Sequence, residues 1–231
     1  MLSIKEVHCA YADTVILRDV NIEVGKGQVV SLMGRNGVGK TTLLKTIMGI
    51  LKPFKGSIYF NDEDITTLSS EIRALKGIGY VPQGRDIFPH LTVMENLLIG
   101  LEARGIKNPS IPEGIFELFP ALRDLLQRRG GDLSGGQQQQ LAIARVLITE
   151  PKLLLLDEPT EGIQPSVVFE IENTIRFIKE QGNVSVLLVE QFMEFALRLS
   201  DYCYVMEKGT VVFEGAVNEL DREELQSHLA I

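Results

Sequence analysis

The segment GRNGVGKT, Gly34–Thr41, places a lysine and a hydroxyl directly behind a glycine-rich turn. An apolar run, Gln28–Met33, precedes it, and a helical pattern over Lys40–Ile50 follows. Glycines let the backbone curl so that successive N–H groups face phosphate oxygens, and the helix start adds the positive end of its dipole. In such a loop Gly34, Arg35, Asn36, Gly37, Val38 and Gly39 wrap the phosphates, with Thr42 just behind. Lys40 suits the β- and γ-phosphates of a nucleoside triphosphate, and the Thr41 hydroxyl suits a Mg²⁺ shell. A second cluster, Asp157 and Glu158, closes the run LLLLDEP. Four buried leucines carry the chain to the C-terminal edge of a sheet, where α/β folds bind ligands. Asp157 is placed to hold Mg²⁺ through water. Side chains alternate along a strand, so Glu158 faces elsewhere, placed to deprotonate a water attacking the γ-phosphate.

A third candidate is LSGGQQQQ. Ser134 and Gln137 have the spacing of a capping box, which predicts a helix starting at Gly135. The box does not explain Gly135 and Gly136, which disfavour a first helical turn by up to about 1 kcal/mol each. Open backbone N–H groups at that start would suit an anion. The glutamines Gln138–Gln140 are expected to form exposed turns ahead of the apolar LAIAR.

The elements that must position these residues read as strands alternating with helices. Strands are expected at Leu2–Val7, Gln28–Met33, Ser57–Phe60, Ile78–Val81, Lys152–Leu156, Val184–Val189, Tyr202–Glu207 and Val211–Glu214. Several are continuous apolar runs, the pattern of parallel strands covered on both faces. Helices are expected at Lys40–Ile50, Val93–Ala103, Gly135–Ile148, Ser166–Glu180 and Phe192–Leu199, with a short one near the C-terminus. This alternation predicts an α/β core with a largely parallel sheet. No strand-like run falls between Gln83 and Glu150, so about 85–149 is expected to be a helical subdomain inserted between core segments 1–84 and 150–231. The stretch Arg104–Gly114 reads as a linker.

A net charge of -8 argues against a nucleic-acid partner. The two cysteines, Cys9 and Cys203, have no metal-site spacing and read as small core residues. No segment approaches the ~20 apolar residues of a membrane-spanning helix, so a membrane role would need partners that supply the span.

Together these motifs resemble the ATP-binding-cassette (ABC) ATPases over nearly all of residues 2–217. The order Tyr11, GRNGVGKTT, Gln83 in YVPQ, LSGGQ, LLLLDEP and LLVEQ carries the resemblance. It implies a P-loop NTPase core with an N-terminal antiparallel β part, ATP and Mg²⁺ as ligands, and ATP hydrolysis coupled to membrane transport. It further implies that Tyr11 stacks on adenine, that Gln83 contacts Mg²⁺ and the attacking water, and that Arg85 to Gly100 meets a permease. Ser134, Gly135, Gly136 and Gln137 would bind the γ-phosphate held by the P-loop of a second copy, or of a related cassette, in a head-to-tail dimer. The implied location is peripheral, on the cytoplasmic face of the membrane, with a periplasmic binding protein acting indirectly.

Two departures narrow the branch. Gln191 stands where the family usually has histidine, so it can hydrogen-bond but cannot relay a proton, which favours Glu158 as base. Gln164, in EGIQP, stands where aspartate is usual. Both departures resemble the branch importing branched-chain amino acids, amides and urea. The glutamine run and the EGIQP loop resemble urea-uptake cassettes more than amino-acid ones. Branched-chain amino-acid import is the alternative, and a non-transport cassette acting on ribosomes or DNA is the alternative of a different class.

Overall fold

The computed structural model describes residues 1–102, 105 and 109–229. A long hairpin, β1 (Leu2–Tyr11) and β2 (Thr14–Val24), opens the fold, followed by β3 (Val29–Met33) and α1 (Lys40–Ile47). β4 (Lys55–Phe60), β5 (Glu63–Asp64), α2 (Ser70–Leu75) and β6 (Ile78–Val81) come next. Then come α3 (Val93–Glu102), α4 (Glu113–Leu118), α5 (Pro120–Arg123) and α6 (Gly135–Leu147). The chain closes with β7 (Leu153–Asp157), α7 (Pro165–Gln181), β8 (Ser185–Glu190), α8 (Met193–Leu199), β9 (Tyr202–Glu207), β10 (Thr210–Ala216) and α9 (Arg222–Leu229).

Two sheets result. One is antiparallel in the order β2-β1-β4-β5, and the other runs β10-β9-β3-β8-β7-β6. In the larger sheet β9, β3, β8, β7 and β6 are parallel, and only the edge strand β10 is antiparallel. The continuous apolar runs are explained by alternation across it. Leu153, Leu155, Leu187 and Val189 face α1 and the antiparallel sheet, while Leu154, Leu156, Val186 and Leu188 face the helices of the other layer. None of the four leucines of β7 has exposed surface, and each such burial contributes about 1.5–3 kcal/mol.

Sequence patterning missed β2, an eleven-residue strand. Leu17, Val20, Ile22 and Val24 are its buried residues, but a bulge with Asp19 at φ 49° breaks the period-two alternation. The pattern also missed α2, α4 and α5, each six residues or fewer and too short for a helical period to register. α1 stops at Ile47, short of the expected Ile50, because Gly49 turns left-handed at φ 75°. There the buried Arg73 donates to the carbonyls of Thr46 and Ile47, satisfying groups that the helix end leaves unpaired. Ala103, the last residue of an expected helix, and much of the Arg104–Gly114 linker lie outside the described residues. Cys9 and Cys203 are buried, and burial pushes the Cys203 thiol up to about 11, which leaves it inert near neutral pH.

α7 is fastened to α8 by Glu172, whose carboxylate accepts from Arg198 at 2.8 Å and from Arg176 at 2.8 Å. The hydrogen bond from Arg198, above all, holds the Glu172 pKa below its usual value. A depressed folded pKa means that this contribution is present above the unfolded pKa and is lost as pH falls through the folded one. Glu172→Ala should therefore lower stability by about 1–2 kcal/mol at pH 7, with the difference shrinking in acid. Urea midpoints of both chains at pH 7 and pH 4 check this.

Candidate functional site

Parallel pairing delivers the candidate residues to one edge. Val81 pairs with Leu156, Asp157 with Val189, and Met33 with Glu190, so four strands end side by side. From those ends emerge the loop with Gln83, the pair Asp157–Glu158, Gln191, and the turn Gly34–Gly39. The glycines of that turn are required. Gly34 has φ 150°, and a methyl group there would lie 2.4 Å from the Met206 carbonyl oxygen. Gly37 has φ 81° with open space around it.

Lys40 is buried at the base of this loop. Its Nζ donates to the carbonyls of Gly34 at 2.7 Å and Arg35 at 2.9 Å, and forms an ion pair with Glu158 Oε1 at 3.2 Å. Glu158 is itself left-handed, at φ 48°, an unusual setting for a side chain of its size and one that clusters at functional sites. Its Oε2 accepts from Gln191 Nε2 at 2.8 Å and from Gln83 Nε2 at 3.4 Å. Gln191 Nε2 also reaches Asn36 Oδ1 at 2.7 Å, and Gln83 Nε2 reaches Glu161 Oε2 at 2.8 Å. Lys40, Glu158, Gln191, Gln83 and Asn36 thus form one network around a single carboxylate.

Asp157 sits on the other side of the strand end. Thr41 Oγ1 donates to its Oδ1 at 3.2 Å, and the Tyr80 hydroxyl donates to its Oδ2 at 3.2 Å. Burial raises the Asp157 pKa, against the lowering effect of both hydrogen bonds. A raised folded pKa means that the ionised carboxyl opposes folding at neutral pH, and that stability grows as pH falls through the folded value. Asp157→Asn should leave the nucleotide-free chain at least as stable, while any phosphate chemistry at this edge drops by more than about tenfold. Thermal unfolding and phosphate release, measured side by side, check both halves.

Three participants were not evident from sequence. Tyr80 lies within the expected strand Ile78–Val81 and Glu161 opens the EGIQP loop, and nothing in the sequence marks either. Glu190 closes β8 as Asp157 closes β7, an acid at the end of an apolar run, and that parallel was a usable signal. Its buried carboxylate accepts from Thr160 Oγ1 at 2.7 Å and from the Gln191 N–H at 3.1 Å, tying the loop after Glu158 to the one carrying Gln191. Burial pushes its pKa up.

The helix start at Ser134 has the expected capping box: the Gln137 N–H donates to Ser134 Oγ at 3.3 Å and the Ser134 N–H to Gln137 Oε1 at 3.0 Å. The following glutamines differ from expectation. Gln139 and Gln140 are buried at 4% exposure, Gln140 pairs with Glu170 on α7, and Gln138 donates to the Gly130 carbonyl at 3.2 Å. They seat α6 against its neighbours, because a helix packed on several sides buries polar residues that find partners. Gly136 likewise has a packing reason, since a methyl group there would lie 2.6 Å from Val167. Among the described residues no hydrogen bond joins Ser134–Gln137 to Gly34–Thr42. Tyr11, at the end of β1, is 44% exposed and close enough to Tyr80 to raise its pKa slightly. Gln164, the residue before α7, is exposed and its side chain makes no cap.

This arrangement of loop, lysine, hydroxyl and acids can bind and cleave a nucleoside triphosphate, and similarity to known proteins agrees. The ABC transporter family profile matches residues 17–161. The branched-chain amino acid transport ATP-binding protein BraG of Pseudomonas aeruginosa is 42% identical, with 92% of this chain and 91% of that protein aligned. A probable branched-chain amino acid transport ATP-binding protein, LivF of Archaeoglobus fulgidus, is 36% identical over 95% and 94%. A dimeric ATP-binding cassette in a post-hydrolysis state, bound to ADP and Pi, superimposes with a TM-score of 0.83 at 26% identity, covering 95% of this chain and all of that one. The chain belongs to the ABC transporter family, as an ATP-binding and ATP-hydrolysing subunit.

Proposed function

We propose that this chain hydrolyses ATP to drive a membrane importer of branched-chain amino acids. The observation that carries the hydrolytic part is the meeting of Lys40, Gln191 and Gln83 on the Glu158 carboxylate. In this reading Glu158 is the base for the attacking water. An ATP phosphate offers Lys40 another anionic partner, which releases Glu158 to accept a proton. Gln191 and Asn36 then hold that carboxylate in place. Gln191 is neutral and orients but does not relay protons.

Thr41 and Asp157 fit Mg²⁺, a hard cation that takes a hydroxyl and a carboxylate alongside phosphate oxygens and water. Among the described residues no group of three or more His, Cys, Asp or Glu could hold a metal unaided. When bound, Mg²⁺ offsets charge on the β- and γ-phosphates. Gln83 reaches the same edge, Tyr11 supplies an exposed ring for adenine, and Ser134, Gly135, Gly136 and Gln137 complete the site on a second copy or a related cassette. The helical stretch of about 85–149 acts as the subdomain that carries this motif and meets the permease. No helix among the described residues is long and apolar enough to cross a membrane, so transmembrane permease subunits would supply the span, with this chain on their cytoplasmic face. A periplasmic binding protein would act upstream, and no nucleic acid is involved.

The names of the two relatives favour branched-chain amino acids over urea. The urea reading rested on the glutamine run and the EGIQP loop, and that run has packing work of its own. Vesicles containing the cognate permease and this chain should take up labelled leucine or isoleucine on addition of ATP. Uptake of labelled urea in place of either amino acid would overturn the substrate assignment.

A further inference from the structure

The loop after β6 carries a basic residue, Arg85, to which the reading above gives no part in nucleotide binding. Gly84, Arg85 and Asp86 are left-handed in succession, at φ 85°, 77° and 46°. Two of the three are not glycine, a sparsely populated arrangement that persists only where surroundings enforce it. They do so here: Arg145 donates to the Asp86 carbonyl at 2.6 Å and lies 4.9 Å from the Phe88 ring centre. The turn aims Arg85 at the start of α6. Its Nη1 donates to Gln138 Oε1 at 3.3 Å, and a methyl group on Gly135 would lie 2.9 Å from that nitrogen. A methyl group on Gly162, in the loop after Glu158, would lie 4.0 Å from Nη2. Among the described residues Arg85 has no ion-pair partner.

This geometry sets like charge against like. A helix start is positive, and a guanidinium beside it is repelled unless an anion joins them. Gln138 satisfies one donor and does not neutralise the charge. Gly135, without a side chain, leaves room for the guanidinium to lie this close to the helix backbone.

We propose that Arg85 is a further phosphate-binding residue of the composite ATP site, supplied with Ser134–Gln137 to the nucleotide held by the P-loop of a second copy. The inference rests on reading those residues as a site completed by the second copy. A fixed cation beside open N–H groups binds the γ-phosphate, and ADP lacks that group. Arg85 therefore favours the ATP-bound dimer over the ADP-bound one.

The test uses the full chain with Glu158→Gln, which slows hydrolysis, and follows ATP-dependent dimerisation by sedimentation. Adding Arg85→Gln keeps a side chain able to hydrogen-bond Gln138 but removes the charge. It should raise the dimer dissociation constant at least about tenfold, the loss expected for a hydrogen bond to a charged group. Arg85→Lys should recover most of that loss. Binding of a fluorescent ADP to each monomer should be unchanged in both variants, since Arg85 serves the other copy's nucleotide. Dimerisation of the Arg85→Gln chain as strong as its parent's would overturn the inference, and so would weakened monomer binding of ADP. A Glu158→Gln parent that stays monomeric with ATP would instead refute the composite site, and this inference with it.

Discussion

Glu158→Gln is expected to lower ATP turnover by about 10²–10⁴-fold, the range that a positioned general base contributes. The change is close to isosteric. The Glu158 N–H still bonds the Val189 carbonyl at 2.9 Å, and Gln191 and Gln83 still find an acceptor on the side chain. Lys40 loses its ion pair but keeps the carbonyls of Gly34 and Arg35. Folding should survive, and nucleotide should bind at least as well, because ATP no longer competes with a carboxylate for Lys40. Phosphate release gives the first quantity and nucleotide titration the second. Turnover within a few-fold of the parent would place the base elsewhere.

Lys40→Ala should cost more than nucleotide binding. The pair it breaks is buried, with side-chain exposures of 4% and 5%, so Glu158 would be left as an uncompensated charge. Such losses run to about 3–5 kcal/mol, and the variant should be destabilised as well as unable to bind ATP detectably. A cycle separates the two effects. Lys40→Ala combined with Glu158→Gln should regain most of the stability, since no unpaired charge remains, and should regain none of the affinity. Chemical denaturation and nucleotide titration of all four chains supply the comparison. Independent, additive stability losses would show that the pair is not coupled.

Much of this site was legible because its parts follow local rules. The turn at Gly34–Gly39 needs glycine for backbone reasons, and the acids that follow four leucines mark where a buried strand ends at the sheet edge. Ser134 and Gln137 announce their own helix start. What escaped depends on contacts distant in sequence. Tyr80 matters because β6 lies beside β7, which brings its hydroxyl to Asp157. Gln139 and Gln140 read as surface residues because glutamine usually is one, and only the packing of α6 against α3 and α7 shows otherwise. β2 was lost to the bulges that interrupt its alternation. Gly136 is a lesson in the opposite direction, since a residue explained by anion binding also has a steric reason in Val167.

In the proposed reading one chain holds an incomplete site, with Lys40, Asp157 and Glu158 at the sheet edge and Ser134–Gln137 completing it from a second copy. Specific ATPase activity measured against chain concentration tests this most directly. Activity per chain should rise steeply with concentration and level off as chains pair, with dimers seen by light scattering over the same range in Mg²⁺ and ATP. Full activity per chain at dilutions where light scattering finds only monomers would contradict it.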